Sequence, residues 1–170
     1  MLGLVLTGGK AELGSEAVTA NVFDSWFIAD PNSYAQPDKV RIAHIRLDLS
    51  VNMPQRVLKG SADLALHWLD PEARQLVLDS RDLKISAVQG FDGKKWRKLG
   101  YKLDAADAMY GSALRISLPE QYPRVRIVYQ TSPEASGLQW LTPEMTASKQ
   151  PFMFSQSQAI HARSWVPLQD

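Results

Sequence analysis

From Val40 onward the apolar residues of this chain recur at every second position, and that period constrains the fold more than any other feature of the sequence. In HIRLDLSV, Ile45, Leu47, Leu49 and Val51 alternate with His44, Arg46, Asp48 and Ser50. Successive side chains on a strand point to opposite faces, so the segment predicts a half-buried strand. Val40 and Ile42 lie on the other parity, which predicts a bulge or bend near Ala43. After an NMPQ turn, Leu58, Gly60, Ala62, Leu64, Leu66 and Trp68 alternate with Lys59, Ser61, Asp63 and His67. The short connection makes these two strands an antiparallel pair.

The same signal repeats in QLVLDS, LKISAV, KKWRKLG, ALRISLP and RVRIVYQTS. FDG at Phe91–Gly93 joins two of these runs, and Asp-Gly is a strong hairpin signal because it fits a turn with positive φ. LDPEARQ reads as a turn or a single helical turn. The fold class predicted is all-β, a mainly antiparallel, saddle-like or sandwich-like sheet domain with long loops. Residues 1–29 read as a peripheral extension with a short helix around residues 10–20, and DPNSYAQPDKV reads as a loop. Alternation stops after Thr131. Residues 132–151, with Pro133, Pro143 and Pro151, are expected to form one long loop, and loops of that length in compact domains are usually functional.

Chemistry is sparse. The net charge of +1 gives no electrostatic footprint for nucleic acid or an acidic membrane surface, so neither is expected as a partner. No stretch approaches the ~18 consecutive apolar residues of a membrane-spanning helix. The opening MLGLVLTGG lacks a basic flank and the length of a complete signal peptide. Cysteine is absent, which rules out disulfides and thiolate ligands. A cytoplasmic location is expected, with the periplasm as the alternative. His44, His67 and His161 form no HExxH pair. His44 and Asp48, four residues apart on one strand face, stand ~13 Å apart and cannot share a metal. There is no GxSxG, GxGxxG or GxxxxGK[ST] element. No catalytic and no metal-ligating residue is therefore assigned.

The closing FSQSQAIHARSW is different. If extended, it places Gln156, Gln158 and Ile160 on one side. A Gln carboxamide is an uncharged acceptor and donor, suited to gripping an amine or a backbone amide without burying another charge. The same glutamines could instead satisfy backbone groups of their own loop, and the residues alone leave both readings open.

At this point a resemblance enters. PNSYAQPDKV, HIRLDLSV, LKGSADLAL, LVLDSRDLKI and SGLQWLTPEMTASKQPFMFSQSQAIHARSWVPLQD resemble, in this order, the N-terminal domain of the leukotriene A(4) hydrolase branch of the aminopeptidase N family of zinc metallopeptidases. The resemblance spans about residues 30–170. It implies a first, β-rich domain followed by a catalytic domain with GxMEN and HExxH. Zinc would then belong to the parent enzyme, and this stretch would need no cofactor of its own. It further implies that Gln158 accepts a hydrogen bond from the free amino end of a peptide substrate, that Ala159 forms pocket wall, that Gln156 lines the same cleft, and that His161 is structural. GxMEN, HExxH and the third zinc ligand are all missing here. The chain is thus expected to be inert alone, incomplete at its C-terminal end, and partnered by a catalytic domain of the same polypeptide. Trp140, Phe152, Phe154 and Trp165 would lack their cover, so homodimerisation through this segment is expected. The competing reading is a stand-alone β-sandwich binding or interaction module.

Overall fold

The computed structural model describes residues 30–170; the expected extension and the helix around residues 10–20 lie outside the described residues. Ten strands follow in order: β1 Val40–Asn52, β2 Val57–Trp68, β3 Gln75–Ser80, β4 Lys84–Phe91, β5 Trp96–Lys98, β6 Tyr101–Leu103, β7 Ser112–Ser117, β8 Arg124–Gln130, β9 Leu138–Leu141 and β10 Phe152–Ser155. All pairings between these strands are antiparallel. They build a five-stranded sheet (β1-β2-β8-β4-β5), a three-stranded sheet (β3-β7-β6) and a two-stranded sheet (β10-β9). No helix among the described residues is long and apolar enough to cross a membrane.

The period-two pattern decides which face is buried. Ala62 and Leu64 on β2, Val88 on β4 and Val125, Ile127 and Tyr129 on β8 face Leu76, Leu78, Leu114 and Ile116 of the three-stranded sheet in one fully buried core. The opposite parity carries a cross-strand row, Arg46–Asp63–Arg126–Gln89–Lys98. In that row Asp63 accepts two hydrogen bonds from Arg126, at 2.5 and 2.8 Å, and one from Arg124 at 2.8 Å. The Arg126 guanidinium lies 4.2 Å from the centroid of the Trp96 ring. Hydrogen bonding from Arg126 is the main cause that holds the Asp63 carboxyl below its ordinary pKa.

β1 shifts register between Ile42 and His44, at the predicted bulge. Its apolar row is less covered than a half-buried strand implies, with Leu47 38% and Val51 50% exposed. The reason is positional: among the described residues β1 is an edge strand with no neighbouring strand beyond it. At its start the edge is capped by the Gln169 carboxamide, which accepts from Ile42 N–H at 2.8 Å and donates to Val40 O at 2.7 Å. A side chain thus fills the hydrogen-bonding place of a neighbouring strand. Asp92 and Gly93 form the expected tip between β4 and β5, with Gly93 at φ +91°. β6, unforeseen in the sequence, pairs in the other sheet once the chain crosses over at Leu99–Gly100.

The expected long loop over 132–151 is corrected by the structure. It contains β9 and a 3-10 turn, Pro143–Met145. Leu138 of β9, with Ala135 and Leu58, forms a second small core, against which Leu49, Trp140, Met153 and Trp165 pack. Four residues are enough for a strand here because β10 supplies the pairing partner, Trp140 opposite Met153.

Candidate functional site

The segment after β10 is not extended, and the side-by-side placement of Gln156, Gln158 and Ile160 is corrected accordingly. Residues 156–161 turn tightly, with a cis Gln158–Ala159 peptide bond, and enter the 3-10 turn Ala162–Ser164. One long-range and one local backbone hydrogen bond bound the turn. Gln156 N–H donates to Gly137 O at 2.9 Å, and His161 N–H donates to Ser157 O at 3.0 Å. The apex between these two bonds is Gln158 and Ala159, both exposed. Gln156 is exposed too, but its Oε1 accepts from Gln158 N–H at 3.3 Å. Gln156 therefore serves its own loop, while the Gln158 carboxamide has no protein partner among the described residues and faces solvent as an uncharged acceptor and donor.

What holds the turn lies outside it. The Trp165 indole N–H donates to Ser157 Oγ at 3.1 Å. Gly137 N–H donates to Ser164 Oγ at 2.8 Å, and Ser164 Oγ donates to His161 O at 2.7 Å. A Cβ at Gly137 would sit 2.6 Å from His161 O and 2.8 Å from Trp165 Cδ1, so only glycine fits against this turn without displacement. The Tyr129 hydroxyl reaches from the main core to Trp165 O at 2.8 Å, and burial pushes its phenol well above the ordinary tyrosine range, keeping it a neutral donor. His161 is half-buried with Nδ1 2.8 Å from Ser136 Oγ, and with Ile160, Arg81, Ala108 and Met109 it lines a shallow hollow of about 460 Å³.

Below the turn sits a buried ionic cluster that the sequence did not reveal. Arg163 and Asp79 are both 0% exposed. Arg163 Nε donates to Asp170 Oδ2 at 2.9 Å, and Nη1 donates to the carbonyls of Asn32 and Tyr110 at 3.0 Å each. Asp79 accepts from Ser33 Oγ at 2.5 Å, Tyr34 N–H at 2.8 Å and Asp170 N–H at 3.2 Å. Backbone bonds between Asp79 and Leu168, and from Arg81 N–H to Arg163 O at 2.8 Å, lay the segment along the open edge of β3. An interior arginine in HARSW carries no sequence signal: arginine is almost never buried unless paired, and although Asp170 is close in the chain, the Asn32 and Tyr110 carbonyls and the Asp79 carboxylate that complete its site are brought to it only by folding. His44 and His67 are exposed on the polar faces of β1 and β2.

Among the described residues no three His, Cys, Asp or Glu side chains converge as a metal site, so the residues present do not fit a zinc centre. The fold and site together define a β-sandwich domain that presents a braced, polar, exposed turn. The comparisons make this specific. The peptidase M1 N-terminal domain matches residues 30–170, and the chain belongs to that family. It is 39% identical over 151 residues to the leukotriene A-4 hydrolase of Xenopus laevis and 34% identical over 149 residues to leucine aminopeptidase 2 of Pyricularia oryzae. These matches cover 84% and 83% of this chain but only 24% of each relative. The leukotriene A4 hydrolase of Saccharomyces cerevisiae superposes with a TM-score of 0.76 at 28% identity, over 84% of this chain and 23% of that one. The yeast enzyme is also similar, at the same TM-score, in a complex with bestatin. The chain thus spans about a quarter of the length of the relatives it matches, and what it matches is their N-terminal domain.

Proposed function

We propose that this domain forms one wall of the substrate cleft of a zinc aminopeptidase, with the metal and the hydrolytic groups on a catalytic domain of the same polypeptide. Gln158 accepts a hydrogen bond from the free amino end of a peptide substrate, Ala159 forms the wall beside it, and Gln156 lines the cleft while fixing the turn. The observation that carries this reading is the solvent-facing Gln158–Ala159 apex, bonded on both flanks, in a member of a peptidase family. An acceptor of this kind recognises an ammonium group without adding charge, and a hydrogen bond to a charged group is worth roughly twice a neutral one. No step of the chemistry passes through these residues; they bind and orient. A cytoplasmic location, which accords with a chain free of cysteine, is part of the proposal.

The test is Gln158→Leu in the full-length polypeptide. Loss of a hydrogen bond to a charged amine predicts a fall of about 10–100-fold in kcat/KM for aminoacyl arylamides, mostly through KM. An unchanged KM refutes the assignment. The 170-residue chain by itself should hydrolyse no aminoacyl arylamide, and chelator-sensitive turnover by it would overturn the division of labour.

The same proposal includes self-association. Phe152 and Phe154 are 54% and 43% exposed, with ring centroids 6.4 Å apart. Trp140 and Trp165, expected to be equally bare, are half-buried against the second core and contribute little.

A further inference from the structure

We infer that Trp165, acting through Ser157, is the positioning residue for Gln158; the inference rests on the reading of Gln158 given above. Within the turn, only Ser157 is tied by its side chain to a residue that is itself anchored in the main core. Its Oγ takes the Trp165 indole N–H at 3.1 Å, and its carbonyl takes His161 N–H at 3.0 Å. Trp165 is fixed in turn: its carbonyl accepts the Tyr129 hydroxyl at 2.8 Å, and its ring packs on Leu58, Ala135 and Leu138. A continuous path therefore runs from core strand β8 through Tyr129, Trp165 and Ser157 to the residue immediately before Gln158.

The path matters because the Gln158 carboxamide has no hydrogen-bond partner among the described residues to hold it. Its neighbours Gln156 and Ala159 are also exposed. Without the indole–Ser157 bond, the apex keeps the backbone bonds at Gln156 and His161, the long 3.3 Å bond from Gln158 N–H to Gln156 Oε1, and the Ser136 and Ser164 contacts at His161, but loses its tie to the main core. A hydrogen bond weakens steeply once distance and angle drift, and misplacements of about 1 Å can cost ~100-fold in a reaction. Trp165 never needs to touch the substrate to decide how well Gln158 grips it.

The experiment compares two zinc-binding inhibitors of the full-length enzyme, leucine hydroxamate and its des-amino counterpart 4-methylpentanohydroxamic acid. Only the first presents an amine to Gln158. Ser157→Ala should raise the inhibition constant of the amino compound about 5–10-fold and leave that of the des-amino compound within about twofold. Ser157→Thr, which keeps an Oγ acceptor, should restore the native ratio. Trp165→Phe, which removes the indole N–H but keeps a ring, should reproduce the Ser157→Ala shift and replaces it if that variant fails to fold. On the 170-residue chain, amide and indole exchange by NMR gives a readout free of activity: Ser157→Ala should speed exchange of the Trp165 indole N–H and lower order at Gln158. Parallel shifts in both inhibition constants, or none, overturn the inference. Gln158→Leu separates the two levels. If it abolishes the amino preference while Ser157→Ala does not, only the positioning role falls. If it leaves the preference intact, the reading of Gln158 falls and the inference with it.

Discussion

Arg163→Met should destabilise the domain by about 3–5 kcal/mol, the cost typical of removing one partner from a buried ion pair. The structure gives a second route to the magnitude. The guanidinium makes one hydrogen bond to Asp170 and two to the carbonyls of Asn32 and Tyr110. At about 1.5 kcal/mol each for a charged donor, their loss comes to about 4.5 kcal/mol. Methionine retains most of the stem's packing, so little cavity cost is added. Asp79 keeps its Ser33, Tyr34 and Asp170 donors but loses the cation 3.8 Å away, in a site with no access to water. Urea unfolding followed by tryptophan fluorescence reads the effect directly. With a slope of about 2 kcal/mol per M, the midpoint should fall by about 2 M. Arg163→Lys separates charge from geometry: it preserves the cation but not the fork that spans Asp170 and two carbonyls, and should recover about half the loss. A midpoint shift under about 0.5 M for Arg163→Met, or a lysine variant as unstable as the methionine variant, refutes the reasoning.

Two further outcomes follow from other parts of the molecule. Asp63 titrates below its ordinary value because Arg126 donates to it, so its contribution to stability is complete above the unfolded carboxylate pKa of about 3.9 and is lost as pH falls through the lower folded value. Urea midpoints measured from pH 2 to 6 should therefore show Asp63→Asn less stable than the native chain near pH 6 and level with it at the acid end; a constant gap contradicts this. Phe152→Ser with Phe154→Ser should abolish concentration-dependent association in sedimentation, since exposed apolar patches drive such contacts. A native chain that stays monomeric at high concentration removes the proposal of a dimer.

Legibility in the sequence followed range of interaction. β1, its bulge, β2, the Asp92-Gly93 hairpin, β7 and β8 are all local signals, written as alternation or turn chemistry within a few residues. β9 was masked because Pro143 and Pro151 dominate a stretch in which four residues suffice for pairing. β6 was hidden for a related reason: YKL is too short to display a period. At the site, the resemblance singled out Gln156, Gln158 and Ala159, and the structure places all three on one exposed turn. Its brace was invisible, since Tyr129, Gly137 and Ser164 reach the turn only through folding.

By itself the sequence determined the class of fold, because side-chain alternation is a property of each strand alone and dictates which face must be buried. It also lacks the HExxH, GxSxG and GxGxxG spacings by which a metal, nucleophile or phosphate site can be read from sequence. Only the tertiary structure decided that Arg163 and Asp79 share a dry interior, that Gln169 caps an open edge, and that Gln156 serves its own loop while the Gln158 carboxamide finds no partner among the described residues. The first two depend on contacts between residues far apart in the chain, whose pairing is set when the sheets pack; the third depends on a turn that Gly137, Ser164 and Trp165 brace, and no pattern along the polypeptide announces it.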